Sequence, residues 1–397
     1  VTSMASAAPL HYSFTGTEQE IVCGPGSISD IGKVVDRLGA SRAMVVCGPT
    51  IYEKADVVQR VQSALGERCA GLFSGVMPHA PVEILDEAVA IATELAPDIL
   101  ISVGGGSTSD MCKGIALLLA EGGNIADYQI RFEPPDRVFI PDTPNQKIPI
   151  VAVPTTMGGA ELSSGGGGFT SKELGRKLST PGKGVTPKTV IIDGQALATT
   201  PMSILLSTAI GQFRIAVESL YSTGHFPIAD ALALHTIKML VDYLPRCSEG
   251  DIDSLLQAKT AACMVMLVRP GLGMNTAMAH HVGGLYDVAH GEANGILLPH
   301  TMRYNLDASA DRQVLIAQAM GIDTSDMTDT EAGLAAADGV ASLCHTLGLP
   351  ATLRDVGVPE DGLELIAAAT LHDRGLATNP VPVYDAGPIM NVLRQAW

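Results

Sequence analysis

The run Asp98–Val103, DILISV, passes without a spacer into Gly104-Gly105-Gly106-Ser107 and then into the apolar helical pattern MCKGIALLLA. A β-branched run that ends in glycines and turns straight into a helix reads as a buried strand, a tight turn and a crossover helix. That is the repeating unit of a parallel sheet with both faces covered. The grammar recurs elsewhere in the first half. Ala43–Cys47 (AMVVC) reads as a strand, followed by a turn at Gly48–Pro49 and a helical pattern over 54–66. Pro81–Leu95 has helical spacing with proline placed near its start. Ile148–Val153 and Thr189–Ile192 read as further strands.

After residue 197 the character changes. Segments 201–221, 227–244, 251–267, 274–284, 311–320, 330–347 and 359–370 all carry helical periodicity, with few strand-like runs. A chain of 397 residues is long enough for two buried cores. The expected organisation is therefore a Rossmann-like α/β domain over 1–196 and an all-helical domain over 197–397.

Composition narrows the function. Hydrophobic residues make up 46% and charged residues 17%, which describes an ordinary globular protein. A net charge of −17 argues against non-specific binding to nucleic acid or to anionic membranes. Seven scattered cysteines without a C-x-x-C pair suit a reducing cytoplasm. No apolar run approaches the roughly 18–20 residues needed to span a bilayer. The start, VTSMASAAPLHYS, has neither the basic nor the apolar region of a secretory signal.

Glycines let a backbone approach a ligand closely, and the exposed N–H groups of a helix start favour an anion. Gly104, Gly105, Gly106 and Ser107 therefore form a candidate pyrophosphate cradle, although a tight turn with Ser107 as N-cap would look the same. The motif continues through Asp110 and Lys113 as GGGS-x-x-D-x-x-K. A second polar turn, Pro154-Thr155-Thr156-Met157-Gly158-Gly159-Ala160-Glu161, follows strand Ile148–Val153. Two such turns at strand C-termini belong on the edge where parallel sheets bind ligands.

With these two motifs the chain resembles the iron-containing (group III) alcohol dehydrogenase superfamily, whose signatures include GGGSxxDxxK and a PTT-x-G turn. The match runs from Gly24-Pro25-Gly26-Ser27 through Asp193 to Asn379-Pro380 and so covers essentially the whole chain. It implies the dehydroquinate synthase-like fold, a dinucleotide-binding first domain and a catalytic helical second domain. The shortened PTT turn and Met77-Pro78-His79-Ala80-Pro81-Val82-Glu83 are locally most similar to maleylacetate reductases. The resemblance assigns Gly48, His79, the GGGS residues, Asp110, Thr155, Thr156 and Lys177 to an NADPH or NADH site. Gly48 stands where NAD-preferring relatives often carry an aspartate, so NADPH should be tolerated.

The resemblance also implies a metal, and here the chain departs from the pattern. Metal-dependent relatives use an Asp and a His four residues apart on one helix face, plus two later histidines. On alignment, Gly211 and Ile215 take the first two positions, Thr276 the third, and only His290 of the four remains. No metal is expected, since one imidazole cannot hold zinc or iron at useful affinity. A repositioned site built from His280, His281 and His290 is the alternative.

His280 aligns with a family histidine close to the substrate carbonyl, which makes it the leading candidate for proton delivery. A structural helix histidine is the competing reading. His290 could donate to the substrate oxygen or cap a loop. Tyr286 could supply a hydroxyl or simply fill the core. Arg214, if it turns inward, brings a cation to the former metal position and could clamp a carboxylate; facing solvent, it is an ordinary helix arginine. Thr276 offers one hydrogen bond, and Arg269 is a weaker carboxylate candidate.

These readings converge on a metal-independent, NAD(P)H-dependent oxidoreductase of a small carbonyl substrate, with or without a carboxylate. It is expected to be cytoplasmic and homodimeric, with no nucleic acid or membrane partner. The alternative is a non-redox lyase, isomerase or decarboxylase using His280, His281 and His290 on the same scaffold.

Overall fold

Residues 12–16, 18–133, 137–174, 176–268 and 271–397 are described by the computed structural model. The chain divides into two compact units, one formed by residues 17–200 and the other by residues 201–397 together with the N-terminal stretch to Gly16. The division falls a few residues after the expected 196/197, because the short helix Gly194–Leu197 still belongs with the strand before it. Tyr12 and Phe14 go with the helical unit: the Tyr12 ring stacks on Phe226 with centroids 5.0 Å apart.

The first unit is built on a six-stranded sheet. Its strands are β1 (Glu20–Cys23), β2 (Ala43–Cys47), β3 (Cys69–Phe73), β4 (Ile99–Gly104), β5 (Ile150–Pro154) and β6 (Thr189–Ile192). They pair in the order β1-β6-β5-β4-β2-β3, and every pairing is parallel. The strand period of two explains why β2 and β4 read as continuous apolar runs. Met44, Val46 and Leu100 feed one core cluster, while Ala43, Val45, Ile99, Ile101 and Val103 feed the cluster on the opposite face. Each such aliphatic side chain stabilises the fold by about 1.5–3 kcal/mol when fully buried.

β1 and β3 were not legible as strands, and both lie at the sheet edges. β1 is mostly exposed and β3 mostly half-buried, so neither carries a strong apolar run. Two short antiparallel hairpins, Arg131–Glu133 with Arg137–Phe139 and Gly168–Ser171 with Arg176–Ser179, were also not anticipated.

The helical unit contains α2 (Met202–Tyr221), α3 (Met274–Tyr286) and α4 (His290–Ala319), numbered after α1 (Gly106–Glu121) of the first unit. The segment expected as a helix over 311–320 is the end of α4, which begins at His290 and bends at Ser309 (φ −148°, ψ 23°). A C-terminal helix, Ala386–Ala396, was not anticipated; its Ile389, Val392 and Leu393 join the apolar cluster that also holds Met274, Met278 and Val282 of α3. Among the described residues no helix is long and apolar enough to cross a membrane. Burial pushes the thiols of Cys47, Cys112, Cys247 and Cys344 up to about 12.

Candidate active site

In the first unit, β4 and β5 are neighbours in register, with Gly104 opposite Pro154. The GGGS and PTT turns therefore leave the sheet side by side, joined by a hydrogen bond from Thr155 N–H to Gly104 C=O (3.1 Å). Gly104 has φ +151°, a conformation that L side chains rarely adopt, and a Cβ there would meet Thr108 Oγ1 at 2.5 Å. A Cβ on Gly105 would sit 3.0 Å from Thr156 Cγ2. A side chain at Gly104 would thus collide with α1 and one at Gly105 would crowd Thr156, and the glycine backbone is left bare at the start of α1. This arrangement fits a dinucleotide pyrophosphate.

The surrounding candidates take different places. His79, with φ +62°, donates its backbone N–H to Ser107 Oγ (3.0 Å), and its carbonyl accepts from Thr170 Oγ1 (3.1 Å). The Met77–Ala80 loop is thereby tied to the start of α1. Burial pushes the Asp110 carboxyl up, countered by Lys113, Lys177 and a hydrogen bond from the Gly168 backbone. Asp110 thus joins α1 to the hairpin carrying Lys177. Lys113 is almost wholly buried and donates to the carbonyls of Ala160 (2.9 Å), Ser163 (3.1 Å) and Gly165 (2.9 Å), which fixes the loop that follows the PTT turn. At Gly48 a Cβ would meet Val76 C=O at 3.0 Å.

In the helical unit, α3 is aimed by the C-terminal Thr378-Asn379 turn. Thr378 Oγ1 accepts from Leu272 N–H (3.0 Å), and Asn379 Oδ1 accepts from Met274 N–H (3.0 Å) at the first turn of α3. The start of α4 is fixed by close packing. Gly291 lies so near α2 that a Cβ would fall 1.9 Å from Ser207 C=O, which explains why glycine follows His290. The two anchored helices bring His280 and His290 together, ring planes 13° apart and centroids 5.7 Å apart.

A third residue completes the group. Asp373 Oδ2 lies 2.9 Å from His280 Nδ1 and 3.6 Å from His281 Nε2. Its other oxygen accepts from Gly375 N–H (2.7 Å), so the carboxylate is held from two sides. Burial alone would raise the Asp373 carboxyl, but the contact with His280, with His281 close beside it, outweighs burial and holds the group well below the ordinary carboxylate range. With Nδ1 of His280 facing this carboxylate, Nε2 is the ring atom left for chemistry, on a side chain that is 50% exposed. Asp373 was missed because it sits 93 positions from His280 and no local motif joins them.

Arg214 turns inward. Its Nη1 lies 3.2 Å from Glu218 Oε2 one turn along α2, and it also bonds the Thr276 hydroxyl. That hydroxyl in turn donates to Glu218 Oε2, while Thr276 N–H reaches Glu218 Oε1 at 3.3 Å. The solvent-facing reading of Arg214 is corrected, and the Thr276 hydrogen bond is committed inside this buried triad. Glu218 was visible only as part of the sequence AVES. Tyr286 packs on the apolar cluster of α3, with its hydroxyl beside Gly362. Arg269 lies outside the described residues.

A metal does not fit this donor set. Gly211 and Ile215 have no coordinating atom, and the one donor of Thr276 is engaged by Arg214 and Glu218. The His280 and His290 rings lie nearly parallel, 13° apart, with centroids 5.7 Å from each other. Among the described residues no group of three or more His, Cys, Asp or Glu side chains is arranged to hold a metal ion.

Comparison with known proteins is consistent along the whole chain. Residues 18–194 match the family described as iron-containing alcohol dehydrogenase, and residues 206–397 match its C-terminal counterpart. Lactaldehyde reductase of Escherichia coli (strain K12) is 30% identical, over 90% of this chain and 92% of that protein. Maleylacetate reductase of Burkholderia cepacia is 26% identical over 94% of each. The crystal structure of 1,3-propanediol oxidoreductase superposes with a TM-score of 0.88 at 28% identity, covering 97% of this chain and 100% of that one.

Proposed function

Because the chain belongs to the iron-containing alcohol dehydrogenase family, whose relatives are nicotinamide-dependent oxidoreductases, we propose that it reduces the carbonyl of a small substrate with NAD(P)H and does so without a bound metal. The substrate is an aldehyde, a ketone or an enoate conjugated to an oxo group, with or without a carboxylate.

The observation that carries this reading is the Asp373–His280 pair. A carbonyl that gains hydrogen at carbon must gain a proton at oxygen. His280 meets that need: Asp373 holds Nδ1 and fixes the ring, and Nε2 is left to deliver the proton. His290, stacked on the same ring, is the second donor toward the developing negative charge on oxygen. These two hydrogen-bond donors take over the polarising task that a metal ion performs elsewhere in the family.

The glycine cradle supports the other half of the reading. Gly104, Gly105, Gly106 and Ser107 at the start of α1 would hold the pyrophosphate, flanked by Thr155 and Thr156. Bound reduced nicotinamide supplies the hydrogen and electron pair that the carbonyl carbon gains. Gly48, lacking a carboxylate, leaves room for the 2′-phosphate of NADPH.

The test is turnover of oxo-compounds by protein purified without chelator, followed by nicotinamide absorbance and accompanied by elemental analysis. His280→Ala should lower kcat by about 10²–10⁴-fold while leaving NAD(P)H binding intact. Substrate loss without net nicotinamide oxidation would sink the reductase reading in favour of a lyase, isomerase or decarboxylase. Stoichiometric metal would sink the metal-free part alone.

A further inference from the structure

We infer that Arg214 is a built-in cation that keeps a metal out of the family's metal position, and that Arg214, Glu218 and Thr276 form one coupled unit rather than three separate features. The inference rests on the metal-free reading above and goes beyond it by naming what keeps the metal out.

Glu218 is fully buried, on α2, at the point where that helix faces α3. A carboxylate removed from water needs a counter-charge and hydrogen-bond donors, or it does not stay ionised. Arg214 provides the charge from one turn earlier on the same helix, and Thr276 provides both its N–H and its O–H from α3. Burial pulls the Arg214 guanidinium below its ordinary range, with Glu218 pulling the other way. The pair is therefore held by mutual need: either charge left alone would be a buried, uncompensated ion.

The position of this pair gives it meaning. Arg214 lies beside Ile215 in sequence and one turn from Gly211, and its guanidinium bonds the side chain at Thr276. These are the three positions at which the family resemblance places metal ligands. At Gly211 a Cβ would meet nothing within 4 Å, so no neighbour has moved in to replace the lost side chain. Arg214 Nε, although buried, has no hydrogen-bond partner. The vacated region thus retains one positive group, covalently attached and placed against Thr276. A divalent ion entering here would meet the guanidinium at short range, and would find both the Glu218 carboxylate and the Thr276 hydroxyl already engaged with it.

Restoring ligands alone should consequently fail to restore a metal site. The experiment compares Gly211→Asp/Ile215→His/Thr276→His with the same set carrying Arg214→Ala. Zinc and cobalt(II) binding are read by titration and by the cobalt absorption bands, independently of turnover. The expected result is weak binding while Arg214 is present and binding roughly 10–100-fold tighter once it is removed. Equal affinity with and without Arg214 would overturn the inference. Because these variants perturb a core, a second measurement stands beside them: thermal melts of Arg214→Met, Thr276→Val and the double variant. Non-additive melting shifts are expected from a coupled unit, and additive shifts would also overturn it. Metal in the wild-type protein is a separate outcome. It would refute the metal-free reading itself, whatever the variants do.

Discussion

Asp373 Oδ2 stands 2.9 Å from Nδ1 of His280, although the two residues are 93 positions apart in the chain. The contact joins α3 to the turn that begins at Arg374, where Asp373 also accepts from Gly375 N–H. A ring held through Nδ1 keeps one orientation and one tautomer, and both matter for the proposed role of presenting Nε2 to a substrate.

Asp373→Asn should therefore lower kcat by about 10²-fold, because the ring loses its fixed orientation while its chemistry is unchanged. The pH profile of kcat/KM separates this from a merely structural effect. Loss of the carboxylate removes the negative charge that faces the ring, so the profile should change in shape and not in height alone. An unchanged profile would count against the pairing.

The same contact sets a dependence of stability on pH. Asp373 has a folded-state pKa below its unfolded value, so the folded protein binds this proton less readily than the unfolded chain. Its contribution is fully present above the unfolded carboxylate value of about 4 and is lost as pH falls below it toward the folded value. Melting temperatures of wild type and Asp373→Asn should differ at about pH 5 and converge in more acidic solution, as the carboxylate is protonated. A difference that grew as the pH fell below about 4 would refute the assignment.

Much of the first unit was legible because its central strands carry two-sided apolar runs that only a covered parallel sheet explains. The edge strands β1 and β3 escaped notice since their exposure breaks that pattern. In the helical unit, periodicity located α2 and α3, but the start of α4 was obscured by Pro299 and by a run apolar enough to hide its helical face. The site was half-readable. His280 and His290 stand in a recognisable segment, whereas Asp373 and Glu218 act through contacts between distant parts of the chain. A buried carboxylate leaves no mark in a sequence unless its partner is known, and Arg214 became interpretable only once Glu218 was seen beside it.

Lys113 serves the cofactor side indirectly. Its ammonium donates to the carbonyls of Ala160, Ser163 and Gly165. Lys113→Met would leave these acceptors without that donor, at a cost of about 3 kcal/mol or more, since each unsatisfied buried group costs about 1–3 kcal/mol. Thermal melts should show the loss. The KM for NAD(P)H should rise more than kcat falls, because the loop beside the PTT turn loosens while the histidines are untouched.

If Gly48 lies in the cofactor site as proposed, it bears on cofactor choice through both charge and space. Gly48→Asp would set a carboxylate where the ribose of a dinucleotide is expected, repelling the 2′-phosphate of NADPH. The added Cβ would lie 3.0 Å from Val76 C=O, so a small backbone adjustment must accompany it. NADPH affinity should fall by about tenfold or more (1.4 kcal/mol) relative to NADH, read by fluorescence titration of both reduced cofactors. An unchanged ratio would remove Gly48 from the cofactor site.

Gly291 tests whether the position of His290 matters. The residue sits at the second position of α4, where a Cβ would fall 1.9 Å from the backbone carbonyl of Ser207 on α2. Backbone cannot yield as a flexible side chain does, so Gly291→Ala must push the start of α4 away from α2. Overpacking of this kind costs about 1–3 kcal/mol, which should appear as a lower melting temperature. His290, the preceding residue, must shift with the helix and lose its stacking on His280. Turnover should then fall while NAD(P)H binding, proposed to rest on the glycine cradle of the other unit, stays as it was. Full activity in a destabilised Gly291→Ala protein would mean that His290 has no part in the reaction and that His280 acts with Asp373 alone.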